Sequence, residues 1–137
     1  MDIQVTFPGG KHVDATFGGF TVRTDQSVAH GGDGSAPEPF DLFLASLATC
    51  AGAYALGFCQ ARGLSTDGLS IVQRDARDAD GKIVSIEVEL TLPPGFPEKY
   101  RAAIQRTVEG CKVKKTVQAP PELRVTVVAE AASAELS

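Results

Sequence analysis

The run Pro39-Phe40-Asp41-Leu42-Phe43-Leu44-Ala45-Ser46-Leu47-Ala48-Thr49-Cys50-Ala51-Gly52-Ala53-Tyr54-Ala55-Leu56-Gly57-Phe58-Cys59-Gln60-Ala61 decides how this chain folds. No proline interrupts it after Pro39, and Leu, Ala and Phe crowd it. Pro39 suits the first turn of a helix, and Asp41 sits at the positive end of the helix dipole. Arg62-Gly63 supply a cationic last turn and a glycine stop. The pattern predicts one helix over Phe40 to Ala61, about six turns long. Apolar residues recur nearly all the way round it, so it is expected to be buried on most faces. Leu42 to Cys59 carry no charge, but Ser46, Thr49, Gly52, Gly57 and the alanines keep the run weakly apolar, and no aromatic belt flanks it. It reads as a central core helix rather than a membrane span.

Upstream of the helix the text alternates. Ile3, Val5 and Phe7 point one way and Gln4 and Thr6 the other, a strand that ends at the turn Pro8-Gly9-Gly10. Val13, Ala15 and Phe17 resume the alternation, Gly18-Gly19 turns the chain again, and Phe20 to Thr24 reads as a third strand. Ser27 to Pro39 is a loop rich in Gly, Ser and Pro, in which His30 and Gly31-Gly32-Asp33-Gly34 form no phosphate-binding motif.

Downstream, Leu69 to Arg74 and Ile83 to Leu92 read as two strands joined by the turn Asp78-Ala79-Asp80-Gly81. Pro97 opens a second helix with the single apolar stripe Tyr100, Ile104, Val108, and Gly110 is placed to cap it. Leu123 to Ala129 is expected to form a last strand, and Glu130 to Ser137 a frayed tail. The order is βββ-α-ββ-α-β, an α+β fold with antiparallel sheet wrapped on a long hydrophobic helix.

Composition narrows the class. The 137 residues hold 13 Lys and Arg against 17 Asp and Glu, a net charge of −4, with 43% hydrophobic residues. These values describe a single domain, 1–137, able to bury roughly two-thirds of its unfolded surface. The acidic balance argues against nucleic acid, which demands a basic footprint. Met1-Asp2-Ile3-Gln4 has no apolar leader, so the cytoplasm is the expected compartment. One small sheet and one amphipathic helix can hardly cover a helix that is apolar all round, so a second copy packed against it is expected.

Cysteines are the remaining chemical signal. Cys50, Cys59 and Cys111 are too few for a disulfide scaffold. Zinc fits poorly, because no Cys-x-x-Cys occurs and His12 and His30 lack ligand spacing. Cys50 and Cys59, nine residues apart on one helix, lie on opposite faces about 13 Å apart along the axis. Any intrachain bridge therefore uses Cys111 with one of them. Taken on composition and spacing alone, each thiol reads more as a small core hydrophobe than as a nucleophile.

The segment Ser35-Ala36-Pro37-Glu38-Pro39-Phe40-Asp41-Leu42-Phe43-Leu44-Ala45-Ser46-Leu47-Ala48-Thr49-Cys50 resembles the signature of the OsmC/Ohr superfamily, the osmotically inducible and organic-hydroperoxide-resistance proteins. There a proline-opened helix runs P-x-[DE]-L-x-x-A-x-L-x-x-C. Cys111-Lys112-Val113 matches the family's second motif, a Cys-x-Val near the end of the next helix. The resemblance implies an OsmC-like intertwined homodimer with two long helices packed centrally. It implies that Cys50 is the peroxidatic thiol that attacks a hydroperoxide and becomes a sulfenic acid, and that Cys111 resolves it as a disulfide. An external dithiol would regenerate the pair with no metal or organic cofactor, and Cys59 would be a bystander.

The departures from that pattern concern the charged partners. Phe40 stands where hydroperoxide-resistance members carry a glutamate just after the proline, with Asp41 one residue later and Glu38 two before Phe40. Asp41 matches the acid of other OsmC-like subgroups, and also suits a first-turn dipole residue. Arg23 is the one arginine of the N-terminal strands and the candidate thiolate stabiliser. Lys112, Lys114 and Lys115 replace the usual proline and small polar residues, and read as a solvated face or as an attractor of anions. The expected activity is thiol-dependent reduction of organic hydroperoxides. The alternative is an OsmC-like module that binds a small molecule, or senses redox state, without turnover.

Overall fold

A computed structural model describes residues 1–129, and the expected tail Glu130 to Ser137 lies outside them. Three strands come first: β1 (Gln4–Gly9), β2 (His12–Phe17) and β3 (Phe20–Thr24). They form an antiparallel meander in the order β1-β2-β3. Gly18 and Gly19 make the β2–β3 turn with φ of 55° and 81°, a left-handed pair that closes the Phe17–Phe20 rung. β1 is exposed along its whole length, and the meander packs chiefly on itself.

The helix α1 spans Pro39–Ala61, within one residue of the span its sequence dictates. A 3₁₀ turn at Val28–His30 interrupts the loop before it. β4 (Ser70–Arg77) and β5 (Ile83–Thr91) then form a separate two-stranded antiparallel sheet. The hairpin turn is closed by Asp78, whose Oδ1 accepts the N–H groups of Asp80 and Lys82, each at 2.9 Å. A 3₁₀ turn at Glu98–Tyr100 leads into α2 (Arg101–Glu109), which Gly110 terminates. Seven further residues, Lys112–Gln118, form a third helix, α3, which the order βββ-α-ββ-α-β does not contain. Val113 and Val117, one turn apart with no Gly or Pro between them, are the signal for it.

The core lies between α1, α2 and the β4–β5 hairpin. Ala51, Ala55, Phe58 and Cys59 of α1 meet Ile104 and Val108 of α2, with Ile71, Val88, Leu90 and Leu92 packed against them. Ile104 and Val108 are two of the three residues of the stripe read from the sequence, and the third, Tyr100, sets its ring edge-on to Phe58 at 5.8 Å. Gln73 of β4 donates its Nε2 to the Leu44 carbonyl at 2.9 Å, fixing the hairpin along α1.

Two expectations are corrected. α1 is buried on one side only, through Leu47, Ala51, Ala55, Phe58 and Cys59. The reason is that α2, α3 and the β4–β5 hairpin all cover the same side, while the N-terminal meander stands apart. Phe40, Phe43 and Leu56 are left exposed, and α1 is long and apolar enough to cross a membrane. The final strand expected at Leu123 to Ala129 is not formed. Leu123, Val125, Val127 and Val128 face solvent, because in this arrangement no sheet edge lies beside them to pair their backbone.

Candidate functional site

Cys111 is the N-cap of α3 and is buried, its N–H donating to the Val108 carbonyl at 3.2 Å. It lines a groove of ≈ 1060 Å³ whose far wall is β5 and whose floor includes Leu47 and Ala51 of α1. Cys50 lies between those two floor residues in the sequence and is half-buried; neither thiol is in a disulfide. Cys111 thus lines the same groove as Leu47 and Ala51, and Cys50 is not among the lining residues. Cys59 is buried in the core.

The charged candidates occupy other places. Arg23 is exposed on β3, opposite Asp14 of β2, in the meander that stands apart from α1. Asp41 is exposed at the start of α1, where its Oδ2 accepts the Glu38 N–H at 3.0 Å, a capping bond that accounts for the residue. Of the three lysines Lys114 lines the groove, together with Arg101, while Lys112 and Lys115 point to solvent.

Two carboxylates, Asp25, which the sequence pattern does not mark, and Glu38, hold the β3–α1 connection in shape. Asp25 is fully buried. Its Oδ2 accepts the N–H groups of Asp33 and Ser35, both at 3.1 Å, and the Ser35 hydroxyl at 2.9 Å, while its Oδ1 accepts the Gln26 N–H at 2.7 Å. These bonds, the Ser35 N–H foremost, outweigh burial and hold the carboxyl at about 2. Glu38 Oε2 lies 2.6 Å from His30 Nδ1 and accepts the Ser27 N–H at 2.9 Å. The His30 contact leads in lowering Glu38, also to about 2. Asp25 at the entrance to a loop rich in Gly and Ser is the sequence signal for such an anchor.

A metal ion has one candidate place among the described residues. His12 Nε2 lies 3.2 Å from Asp33 Oδ2 and 3.9 Å from Asp25 Oδ2, a set of three ligand atoms within 4.8 Å. Asp25 Oδ2 already accepts three hydrogen bonds, which fill the positions a metal would take. The cluster instead ties β2 to the loop.

A family profile described as OsmC-like protein matches residues 32–126. Among solved structures, an osmotic-stress-induced and detoxification-response protein from Psychrobacter arcticus superposes with a TM-score of 0.70 at 22% identity, over 83% of this chain and 85% of that one. An OsmC-like protein from Mycoplasma pneumoniae gives 0.65 at 18% identity, over 93% of each chain. An organic hydroperoxide resistance protein from Legionella pneumophila gives 0.54 at 19% identity, over 86% and 90%. These likenesses establish the α+β fold. No curated protein matches the sequence. With the profile covering most of its length, and both cysteine motifs inside the match, the chain belongs to the OsmC-like protein family.

Proposed function

We propose that this protein is a thiol-dependent peroxidase that reduces organic hydroperoxides, with Cys50 peroxidatic and Cys111 resolving. The supporting observation is that Cys111 lines one groove with Leu47 and Ala51, residues within one helical turn of Cys50 on α1. Solved relatives of the same fold are named as organic hydroperoxide resistance proteins.

In the first step the Cys50 thiolate attacks the distal oxygen of the hydroperoxide. The O–O bond breaks, the alcohol leaves with a proton, and Cys50 becomes a sulfenic acid. The Cys111 thiolate then attacks the Cys50 sulfur, releasing water and forming a disulfide. An external dithiol reduces that bond by exchange and is itself oxidised. No metal or organic cofactor enters. Arg23 is the proposed stabiliser of the Cys50 thiolate, which requires the meander to reach a Cys50 site.

That requirement agrees with the exposed side of α1. A homodimer in which two α1 helices pack together would cover Phe43, Ala53 and Leu56 and bring a meander alongside. The free thiols fit a cytoplasmic location. Stoichiometric cumene hydroperoxide added to the reduced protein is the test, read by intact mass and a non-reducing peptide map. Loss of two hydrogens with a Cys50–Cys111 cross-link is expected. Free thiols throughout, or turnover unchanged in Cys50→Ser, would overturn the assignment.

A further inference from the structure

Positive charge is spread unevenly along this chain. Glu98 to Gln118, the stretch that holds α2 and α3, carries six cations against two carboxylates, while the rest carries seven against fifteen. An acidic protein therefore bears one cationic island, and Cys111 stands inside it. Outside the island Arg74, Arg77 and Arg124 each meet a carboxylate at 2.8 or 2.9 Å. Inside it Arg101 lies 3.8 Å from Glu98. Lys99, Arg106, Lys112, Lys114 and Lys115 form no ion pair among the described residues.

Secondary structure does not ask for these charges. Lys112 and Lys114 stand in the first turn of α3, which holds no acid and whose partial positive charge disfavours cations. Lys112 and Lys115, three residues apart, repel each other along one helix face. Both are exposed, so packing does not offset the cost. A Cβ at Gly110 would lie 3.6 Å from Lys115 Cε, so the Lys115 stem folds back over the residue that precedes Cys111. Arg106, one turn before Gly110, is exposed as well. Local preferences overridden in this way, with no gain in packing, mark a surface kept for function.

We infer that the cationic face of α2 and α3 docks an acidic partner protein that carries the reducing dithiol. The inference rests on the peroxidase reading above, which requires an external dithiol. Charge steers an acidic carrier to this face, and the acidic remainder of the chain turns it away elsewhere. Once docked, a partner thiolate attacks the sulfur of Cys50, the half-buried member of the disulfide. Cys111 leaves as a thiolate and takes up a proton. The partner's second thiol then displaces Cys50, so two electrons and two protons pass to the protein and the partner ends as a disulfide. A nucleic acid is equally anionic but brings no thiol, and Arg101 to Gln118 offer no aromatic ring for its bases.

Reduction of the preformed disulfide in the full chain tests this, using two peptides with the same Cys-x-x-Cys centre, one flanked by glutamates and one by glutamines. The glutamate peptide is expected to react about tenfold faster at low salt, the rates converging near about 0.5 M. Lys112→Glu/Lys115→Glu should abolish that advantage while dithiothreitol, which is uncharged, reduces both proteins equally. Lys82→Glu, in the β4–β5 turn, should retain it. Equal rates for the two peptides in the unmodified protein, or loss of the advantage in Lys82→Glu as well, would overturn the inference.

Binding separates docking from the redox reading. A fluorescein-labelled glutamate peptide with Ser-x-x-Ser at its centre is titrated with the reduced protein and followed by anisotropy. Binding that weakens at least about tenfold in Lys112→Glu/Lys115→Glu supports the docking face even where hydroperoxide forms no disulfide, an outcome that would sink the peroxidase reading alone. Absence of binding, or tighter binding of single-stranded DNA of the same length, overturns the docking.

Discussion

Ser35 donates both its backbone N–H and its hydroxyl to the same oxygen of Asp25, at 3.1 and 2.9 Å. This pairing closes the loop between the N-terminal meander and α1 from the inside, with the Asp25 carboxylate fully buried. Asp25 shares this task with Glu38, which accepts the Ser27 N–H and meets His30 in the same loop.

The acid sensitivity of the fold follows from that arrangement. Asp25 is lowered from 3.8 to about 2 and Glu38 from 4.5 to about 2. A carboxyl held below its unfolded value stabilises the fold at all pH above the unfolded value, and the contribution is lost as pH falls through it toward 2. Stability is expected to be flat above pH 5 and to decline between about pH 4.5 and 2. Asp25→Asn should lower Tm by about 5 °C at pH 7 and flatten that acid decline, as read by thermal melts across pH. A decline as steep as in the unmodified protein would assign the acid response elsewhere.

Gly32 is required by the same loop for lack of space. A Cβ there would lie 2.1 Å from the Gln26 carbonyl oxygen and 2.7 Å from Asp25 Oδ1. The first of these atoms is backbone and cannot swing away. Gly32→Ala is expected to cost more than about 2 kcal/mol in urea unfolding. Gly81→Ala, at φ 83° with no atom within 4 Å of its Cβ, isolates backbone strain and should cost about 1 kcal/mol.

The homodimer proposed for α1 can be broken on its exposed side. Ala53 is exposed, on a helix whose opposite face holds Ala51, Ala55 and Phe58 in the core. Ala53→Arg should shift sedimentation from dimer to monomer while leaving helical circular dichroism unchanged. Sedimentation as a dimer in this variant would place the interface on another surface.

Cys59 separates packing from chemistry. It is fully buried among Ala55, Phe58 and Ile104. Cys59→Ala should cost about 1 kcal/mol of stability and leave hydroperoxide turnover within twofold of the unmodified protein. Ile104→Ala, at the centre of the same cluster, should cost about 2–4 kcal/mol. A tenfold fall in turnover with Cys59→Ala would give that thiol a role in the reaction.

Local elements were legible because their signals are local. Pro39, the unbroken apolar run and Arg62-Gly63 dictated α1, and the glycine pairs and Asp78 dictated the hairpins. The two cysteine motifs were equally legible, because they are contiguous text. The contacts of Asp25, Glu38 and Lys114 were not. Their neighbours Ser35, His30 and the β5 wall come from 8 or 10 residues away or from another element altogether, and no periodicity encodes such contacts.

By itself the sequence determined the family and the α+β element order as far as α2, which depend on residue type and short-range spacing. Only the tertiary structure decided which faces are covered. Hydrophobic pattern states that a residue should be buried but not against what, and burial requires a second surface at the right distance. Hence α1, apolar all round, is buried on one side where β4–β5 and α2 reach it, and Leu123 to Val128, patterned as a strand, lies open where no edge reaches it.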